Sequence, residues 1–248
     1  MLKTTTGVLA RILETDCAVD VGFVGVWTDT RKPMRGGVFL ALSGGNFDGA
    51  DFATEAVAMG AVAVVATRKT QGDIPTLIVK NTEVALQQIA RWYLDSRRPE
   101  VVAITGSNGK TTTKNMLANV LNLVAPTLKT QGNLNNHLGV PMSLLALELQ
   151  HQYAVIEMGA NHLGEIAKLR EIVRPAVAVV VNTLDAHIGE FGGFDNLVKA
   201  KGEIYSPDSQ NVVNTATGFE GDISFGEGGD VFADNIVNTH FDLHIFDE

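Results

Sequence analysis

The chain has 248 residues, 45% of them apolar and 19% charged, a composition that supports a packed interior, in one large or two modest domains, and gives no ground for disorder. Its formal net charge of −9 argues against a general nucleic-acid surface, because phosphate backbones are held by clustered Lys and Arg. No apolar run approaches the roughly 18 residues of a membrane span, the start Met1-Leu2-Lys3-Thr4 lacks the apolar stretch of a signal peptide, and Cys17 is the single cysteine; a cytoplasmic protein without membrane insertion or an internal disulfide is expected.

In chain order, Val38–Leu42, Ala61–Ala66 and Thr76–Val79 read as short strands, and Phe52–Met59 and Glu83–Leu94 as helices. The second helix carries Val84, Leu86, Ile89, Ala90 and Tyr93 on a mostly apolar face. Arg97-Arg98-Pro99-Glu100 interrupts this pattern, so a domain boundary is expected between residues 1–98 and 99–248. Val101–Thr105 then reads as a buried strand, followed by a glycine-containing turn and a helix with Met116, Leu117, Val120 and Leu121 at helical spacing.

Tyr153–Ile156 and Ala176–Val181 are further apolar strands, separated by a helix from about Gly164 to Val173 that ends near Arg174-Pro175. The fold class expected is α/β: a small N-terminal α/β unit, then a mostly parallel sheet flanked by helices. After Tyr205 the pattern weakens. Gly218–Gly229 holds five glycines, suggesting turns between short antiparallel strands, for which Val231–Ile236 and His240–Phe246 are candidates.

Chemistry concentrates in Ile104-Thr105-Gly106-Ser107-Asn108-Gly109-Lys110-Thr111-Thr112. It follows a strand and opens a helix, the context a phosphate-binding loop requires. Gly106 and Gly109 let the backbone turn tightly and aim N–H groups at phosphate oxygens. Lys110 adds a point charge, and Thr111 or Thr112 can offer a hydroxyl to Mg²⁺. The spacing is shorter than G-x-x-x-x-G-K-[ST], since Ile104 stands where the first glycine would be. A glycine turn before a capped helix is the alternative, and the flanking strand and helix favour the phosphate loop over it.

Downstream, Glu157 ends an apolar strand, where ligands of open α/β sheets collect; a metal ligand and an ordinary surface acid are equally compatible with that position. His187, just past the next strand, reads by itself as an exposed loop histidine. Lys201, in Val198-Lys199-Ala200-Lys201-Gly202-Glu203, reads by itself as part of a solvated helical face.

The loop resembles the G-[TS]-N-G-K-T-T signature of the Mur ligases, cytoplasmic enzymes that assemble the peptidoglycan stem peptide. Two more specific blocks, Gln131–Pro141 and Glu157–Ile166, are similar to the branch of that family that adds D-alanyl-D-alanine to UDP-N-acetylmuramoyl-tripeptide. Thr28-Asp29-Thr30-Arg31, Gly36–Leu42 and Phe47-Asp48-Gly49 resemble the family's uridine-nucleotide-binding domain.

The resemblance implies ATP and Mg²⁺ as cofactors, with Gly106 to Thr112 binding ATP. Thr111 and Glu157 would hold one Mg²⁺ and His187 would help bind a second. Lys110, Glu157, His187 and Lys201 would be the catalytic group, and Lys201 matches a carbamylated lysine that serves as a metal ligand. Thr28, Thr30, Arg31, Asp48, Gly49, Asn133, Asn135 and Asn136 fall in blocks that would contact substrate. The implied reaction forms an acyl phosphate on the tripeptide, which the D-alanyl-D-alanine amine then attacks. On this reading residues 1–98 bind the UDP-linked substrate and 99–248 are an incomplete ATP-binding central domain. The similarity runs from about Thr4 to Tyr205, and family members continue into a third, Rossmann-like domain, so a fragment with binding but little activity, and a monomer, is expected. Another Mur or folylpolyglutamate-type ligase, or a P-loop nucleotide-binding module that is not a ligase, is the alternative.

Overall fold

The computed structural model describes residues 4–45, 47–185, 188–237 and 240–245, and in it the chain forms two units. One holds the residues up to Arg98 together with Leu144–Leu149; the other holds Pro99–Ser143 and the residues from Gln150 onward. Among the described residues no helix is long and apolar enough to cross a membrane.

In the first unit β1 (Thr4–Thr5) leads into α1 (Thr6–Ile12) and pairs antiparallel with β2 (Gly22–Phe23). β3 (Val26–Trp27) and β4 (Val38–Leu40) follow, then a small antiparallel pair, β5 (Ser43–Gly44) and β6 (Phe47–Asp48). The helix expected over Phe52–Met59 is a 3-10 turn, Gly49–Phe52, that continues into α2 (Ala53–Ala58). β7 (Ala63–Ala66), β8 (Thr76–Ile78) and α3 (Thr82–Arg97) complete the unit.

The main sheet of this unit runs β3-β4-β7-β8 with every pair parallel. β4 and β7 are buried along their whole length, which is why they read as unbroken apolar runs rather than alternating ones. Trp27 and Phe39, with ring centroids 5.0 Å apart, pack with Ala41, Ala53, Ala56 and Val64 in the core. α3 begins where the Asn81 side chain accepts from the backbone N–H groups of Glu83 and Val84, satisfying two of the four donors a helix start leaves open. It ends at Arg98, whose φ of 53° is left-handed. The Tyr93 ring is buried, and its hydroxyl donates to the Leu147 carbonyl at 2.6 Å.

In the second unit the strands are β9 (Glu100–Thr105), β10 (Thr127–Lys129), β11 (Tyr153–Glu157), β12 (Val177–Val180), β13 (Gln210–Asn214), β14 (Ile223–Phe225), β15 (Val231–Val237) and β16 (His240–Ile245). The helices are α4 (Lys110–Leu121), α5 (Gly139–Leu144, whose last residue belongs to the first unit), α6 (Glu165–Val173), α7 (Ile188–Phe191) and α8 (Phe194–Gly202). Sheet order is β10-β11-β9-β12-β13-β14-β15-β16. All neighbours are parallel except β15 and β16, which pair antiparallel with an irregularity between Asp234 and Val237. The glycine-rich stretch therefore contributes a parallel strand, β14, where turns between antiparallel strands were expected. Only the last pair is antiparallel.

β9 lies between β11 and β12, with Val102 opposite Val155 on one side and Ile104 opposite Val179 on the other. Its carboxyl end opens between two neighbours, the place where open parallel sheets bind ligands. α4 covers this region with Leu117, Ala118 and Leu121 against Val102, Ile104 and Val155. Met116 and Val120, expected on the apolar face, are exposed instead. The inward face of α4 takes Lys114 in their place, a charged residue that apolar periodicity passes over.

Candidate functional site

The glycine loop between β9 and α4 is tied at both ends. The Thr105 hydroxyl donates to the Met158 carbonyl at 2.8 Å, joining the carboxyl ends of β9 and β11. Gly106 has a φ of +151°, and a Cβ there would stand 3.1 Å from the Val181 Cβ and 3.2 Å from the Asn182 nitrogen. Gly109, at φ +78°, caps the start of α4 in the left-handed conformation, which costs a side-chain-bearing residue energy.

The segment after β12 closes on the loop from the other side. Ser107 N–H donates to the Asn182 carbonyl at 3.1 Å, and the Ser107 hydroxyl donates to the Leu184 carbonyl at 2.7 Å while accepting from Leu184 N–H at 2.9 Å. The Asn182 amide accepts from Asn108 N–H at 3.1 Å and donates to the Asn108 carbonyl at 3.2 Å. Asn182 and Leu184 thus shape the loop, although no local motif marks them.

Lys110 folds back so that its ammonium donates to the Gly106 and Ser107 carbonyls at 2.6 and 3.0 Å. Burial lowers its pKa, and Glu157 opposes that shift. Thr111 and Thr112 are exposed in the first turn of α4, where backbone N–H groups have no carbonyl one turn earlier to bond. Two left-handed glycines, a helix N-terminus and a lysine together suit an anion with several oxygens.

Glu157 ends β11 with 2% of its side chain exposed. Its Oε2 accepts from the Thr111 hydroxyl at 2.9 Å and lies 3.2 Å from the Lys114 ammonium, and its Oε1 accepts from the Asn135 amide at 2.8 Å. Glu157 N–H donates to the Thr130 hydroxyl at 2.9 Å. Of the asparagines in the Gln131–Pro141 block, Asn135 is therefore committed to Glu157. Asn136 accepts from Leu138 and Gly139 N–H groups ahead of α5, and Asn133 is exposed. Lys114 was missed by the sequence reading; its signal is a lysine one turn after Lys110 on the face that carries Leu117 and Leu121.

Lys201 is not on a solvated face: it lies on α8 with only 4% of its surface exposed. Its amine is 5.1 Å from the centroid of the Phe191 ring. Burial first, and then the Lys110 charge, push its pKa down to about 8, against the pull of Glu165 and Glu203. The Glu203 carboxylate accepts from Gly164 and Ala167 N–H groups at the start of α6, and Arg170 of α6 donates back to the Glu203 and Tyr205 carbonyls. This reciprocal clamp fixes the end of α8 at Glu203, two residues from Lys201. His187 lies outside the described residues.

In the first unit Thr28 and Thr30 are half-buried. The exposed Arg31 is held by Asp29 through two hydrogen bonds of 2.9 Å, and the arginine holds the Asp29 carboxyl below its ordinary range. Asp48 accepts from Ala50 N–H, the Ser43 hydroxyl and Arg68, which together lower its pKa; Arg68 also pairs with Asp51. A Cβ on Gly49 would stand 2.3 Å from the Leu42 carbonyl oxygen, so backbone closeness alone requires glycine there.

Among the described residues no three His, Cys, Asp or Glu side chains are grouped to hold a metal. The donors present are oxygens, the Thr111 hydroxyl and the Glu157 carboxylate. They fit Mg²⁺, which is commonly held by one or two carboxylates with the rest of its shell from phosphates and water.

Residues 23–108 match the Mur ligase family, catalytic domain, and residues 104–218 match the Mur ligase middle domain. The chain is 45% identical over 214 residues to the UDP-N-acetylmuramoyl-tripeptide–D-alanyl-D-alanine ligase of Escherichia coli (strain K12), a match covering 86% of this chain and 47% of that protein. To the ligase of the same name from Bacillus subtilis (strain 168) it is 39% identical, over 73% of this chain and 40% of that one. A crystal structure of MurF from Acinetobacter baumannii aligns with a TM-score of 0.91 at 40% identity, covering 99% of this chain and 58% of that chain. MurF ligase from Thermotoga maritima in complex with ADP aligns at 0.77 and 34% identity, covering 85% and 52%. The chain spans about half the length of the curated relatives it matches. Matches to the family over residues 23–218, together with the loop and carboxylate geometry described above, lead to one conclusion: the chain belongs to the Mur ligase family.

Proposed function

We propose that this chain carries the nucleotide- and UDP-substrate-binding parts of an ATP-dependent, amide-forming ligase of peptidoglycan precursor synthesis. The reaction joins D-alanyl-D-alanine to UDP-N-acetylmuramoyl-tripeptide. One observation carries the reading: the loop from Gly106 to Thr112 opens α4 beside the buried Glu157 carboxylate, with the Thr111 hydroxyl 2.9 Å from it. Anion cradle and cation ligands are thus adjacent, as phosphoryl transfer requires.

In this reading Gly106, Ser107, Asn108 and Gly109 cradle the ATP phosphates. Lys110, whose ammonium rests on the Gly106 and Ser107 carbonyls, would exchange them for oxygens of the γ-phosphoryl group. The tripeptide carboxylate attacks that phosphorus, the bond to the bridging oxygen breaks, and acyl phosphate and ADP result. The D-alanyl-D-alanine amine then attacks the acyl carbon, phosphate leaves and the amide forms. Mg²⁺, held by Thr111 and Glu157, with His187 at a second ion, would supply neutralising charge to the phosphoryl oxygens. Lys201, with its pKa near 8, keeps a sizeable neutral fraction, the form in which an amine adds to CO2 to give an anionic carbamate. Residues up to Arg98, with Thr28, Thr30, Arg31, Asp48 and Gly49, are assigned the UDP-linked substrate; the Asn133–Asn136 segment is assigned the approach to the tripeptide, with Asn133 exposed toward solvent while Asn135 and Asn136 hold the segment on Glu157 and on the start of α5.

Calorimetric titration of the 248-residue chain with Mg·ADP tests the nucleotide half of the proposal. Saturable binding is expected, weakened at least about tenfold in K110M, since one phosphate-bound cation contributes on the order of 1.5–3 kcal/mol. Absence of binding in the unaltered chain, or an unaffected K110M, would remove the basis of the proposal. Thermal stabilisation by UDP-N-acetylmuramoyl-tripeptide tests the other half.

A further inference from the structure

Lys114 has no part in the reaction outlined above, yet it is the most deeply buried charge beside it. Its ammonium lies 3.2 Å from Glu157 Oε2 and donates to the Gly132 carbonyl at 3.2 Å, and 2% of each side chain in the ion pair is exposed. A carboxylate offers about four lone-pair sites. Thr111, Lys114 and Asn135 address three of those on Glu157.

We propose that Lys114 is a resident counter-ion that makes divalent-cation binding at Glu157 depend on the nucleotide. The inference rests on the ligase reading of the site and goes beyond it. With Lys114 in place the carboxylate is already neutralised, and an incoming bare Mg²⁺ meets a fixed like charge in a poorly solvated site, where repulsion is only weakly screened. A cation that arrives with nucleotide phosphates brings compensating negative charge and does not meet the same barrier. Lys114 acts through Glu157 and is therefore a positioning residue. Metal enters together with nucleotide, and the site does not load with free Mg²⁺.

Titration of the 248-residue chain with MgCl2 alone, followed calorimetrically and by thermal denaturation, tests this on the unaltered chain, K114M and K114R. The unaltered chain and K114R, which keeps the charge, are expected to bind free Mg²⁺ weakly. K114M, which leaves Glu157 uncompensated, is expected to bind it about tenfold tighter or more and to be stabilised by it. A purely structural lysine would lower stability in K114M without creating affinity for Mg²⁺, and that result overturns the proposal. If K114M folds poorly without metal, its recovery on adding MgCl2 supports the proposal and failure to recover overturns it. The double variant K114M/E157Q, lacking both charges, is expected to fold and ignore MgCl2; a response to the metal there also overturns it. A Mg·ADP titration of the unaltered chain separates the two levels. No binding there defeats the ligase reading itself, whereas normal Mg·ADP binding with no gain of free Mg²⁺ affinity in K114M defeats only the role of Lys114.

Discussion

Replacing Lys201 by methionine removes a charge from an almost wholly enclosed position while keeping most of the side-chain volume. Burial and the neighbouring Lys110 push the Lys201 pKa from 10.5 to about 8, with Glu165 and Glu203 pulling the other way and the Phe191 ring beside the amine. That gap corresponds to about 3 kcal/mol of instability carried by the charged form. Below about pH 8 the amine is protonated in both the folded and the unfolded chain, and the full penalty applies. Between about pH 8 and 10.5 the folded chain has released the proton while the unfolded chain still binds it, so stability rises with pH. Above that the penalty is gone.

K201M lacks the penalty throughout. The difference in unfolding free energy between K201M and the unaltered chain should therefore shrink by about 3 kcal/mol from pH 7 to pH 11. Urea denaturation in CO2-depleted buffer measures it without carbamate forming on the amine. Tyr205, whose pKa burial raises, is common to both chains and cancels. A difference that stays level over that range, or grows with pH, would show that Lys201 is not held as an uncompensated buried ammonium.

Two further outcomes follow from the geometry. Y93F should lower stability by about 1–3 kcal/mol in urea denaturation, because the buried Leu147 carbonyl loses its hydroxyl donor while the ring and the Arg97 guanidinium 4.7 Å above it stay; an unchanged midpoint would mean the hydrogen bond contributes nothing. G109A should cost roughly 1 kcal/mol of backbone strain at φ +78° and weaken Mg·ADP binding in calorimetry. The added Cβ meets only ordinary contact with Val181, so a variant as stable and as tight as the parent would show that the left-handed turn is not required.

Strands β9, β11 and β12 were legible because they lie inside a parallel sheet and read as continuous apolar runs, whereas β10 and β13, each mixing polar and apolar residues, were not foreseen. The phosphate loop was legible because its chemistry is local, a few consecutive residues between a strand and a helix. What escaped is long-range or hidden by residue type. Asn182 and Leu184 reach the loop across 74 and 77 positions, and no local pattern specifies such a pairing. Lys114 stands on an inward helix face where counting apolar residues assigns no charge, and Lys201 reads as solvated for the same reason: burial of a lysine is decided by what packs around it. The parallel β14 was hidden by glycines that signal turns but do not say which strand the chain rejoins.

The excursion of Leu144–Leu149 into the first unit has a consequence for how this polypeptide can be divided. The covalent route passes from one unit to the other at Arg98, at Ser143 and at Leu149, so neither half is a single uninterrupted stretch. A gene product halted at Arg98 would lack buried Leu144 and Leu147 and leave the Tyr93 hydroxyl without its acceptor. Exchange of residues 99–248 as one cassette would therefore carry away Leu144–Leu149 and with it part of the first unit's interior.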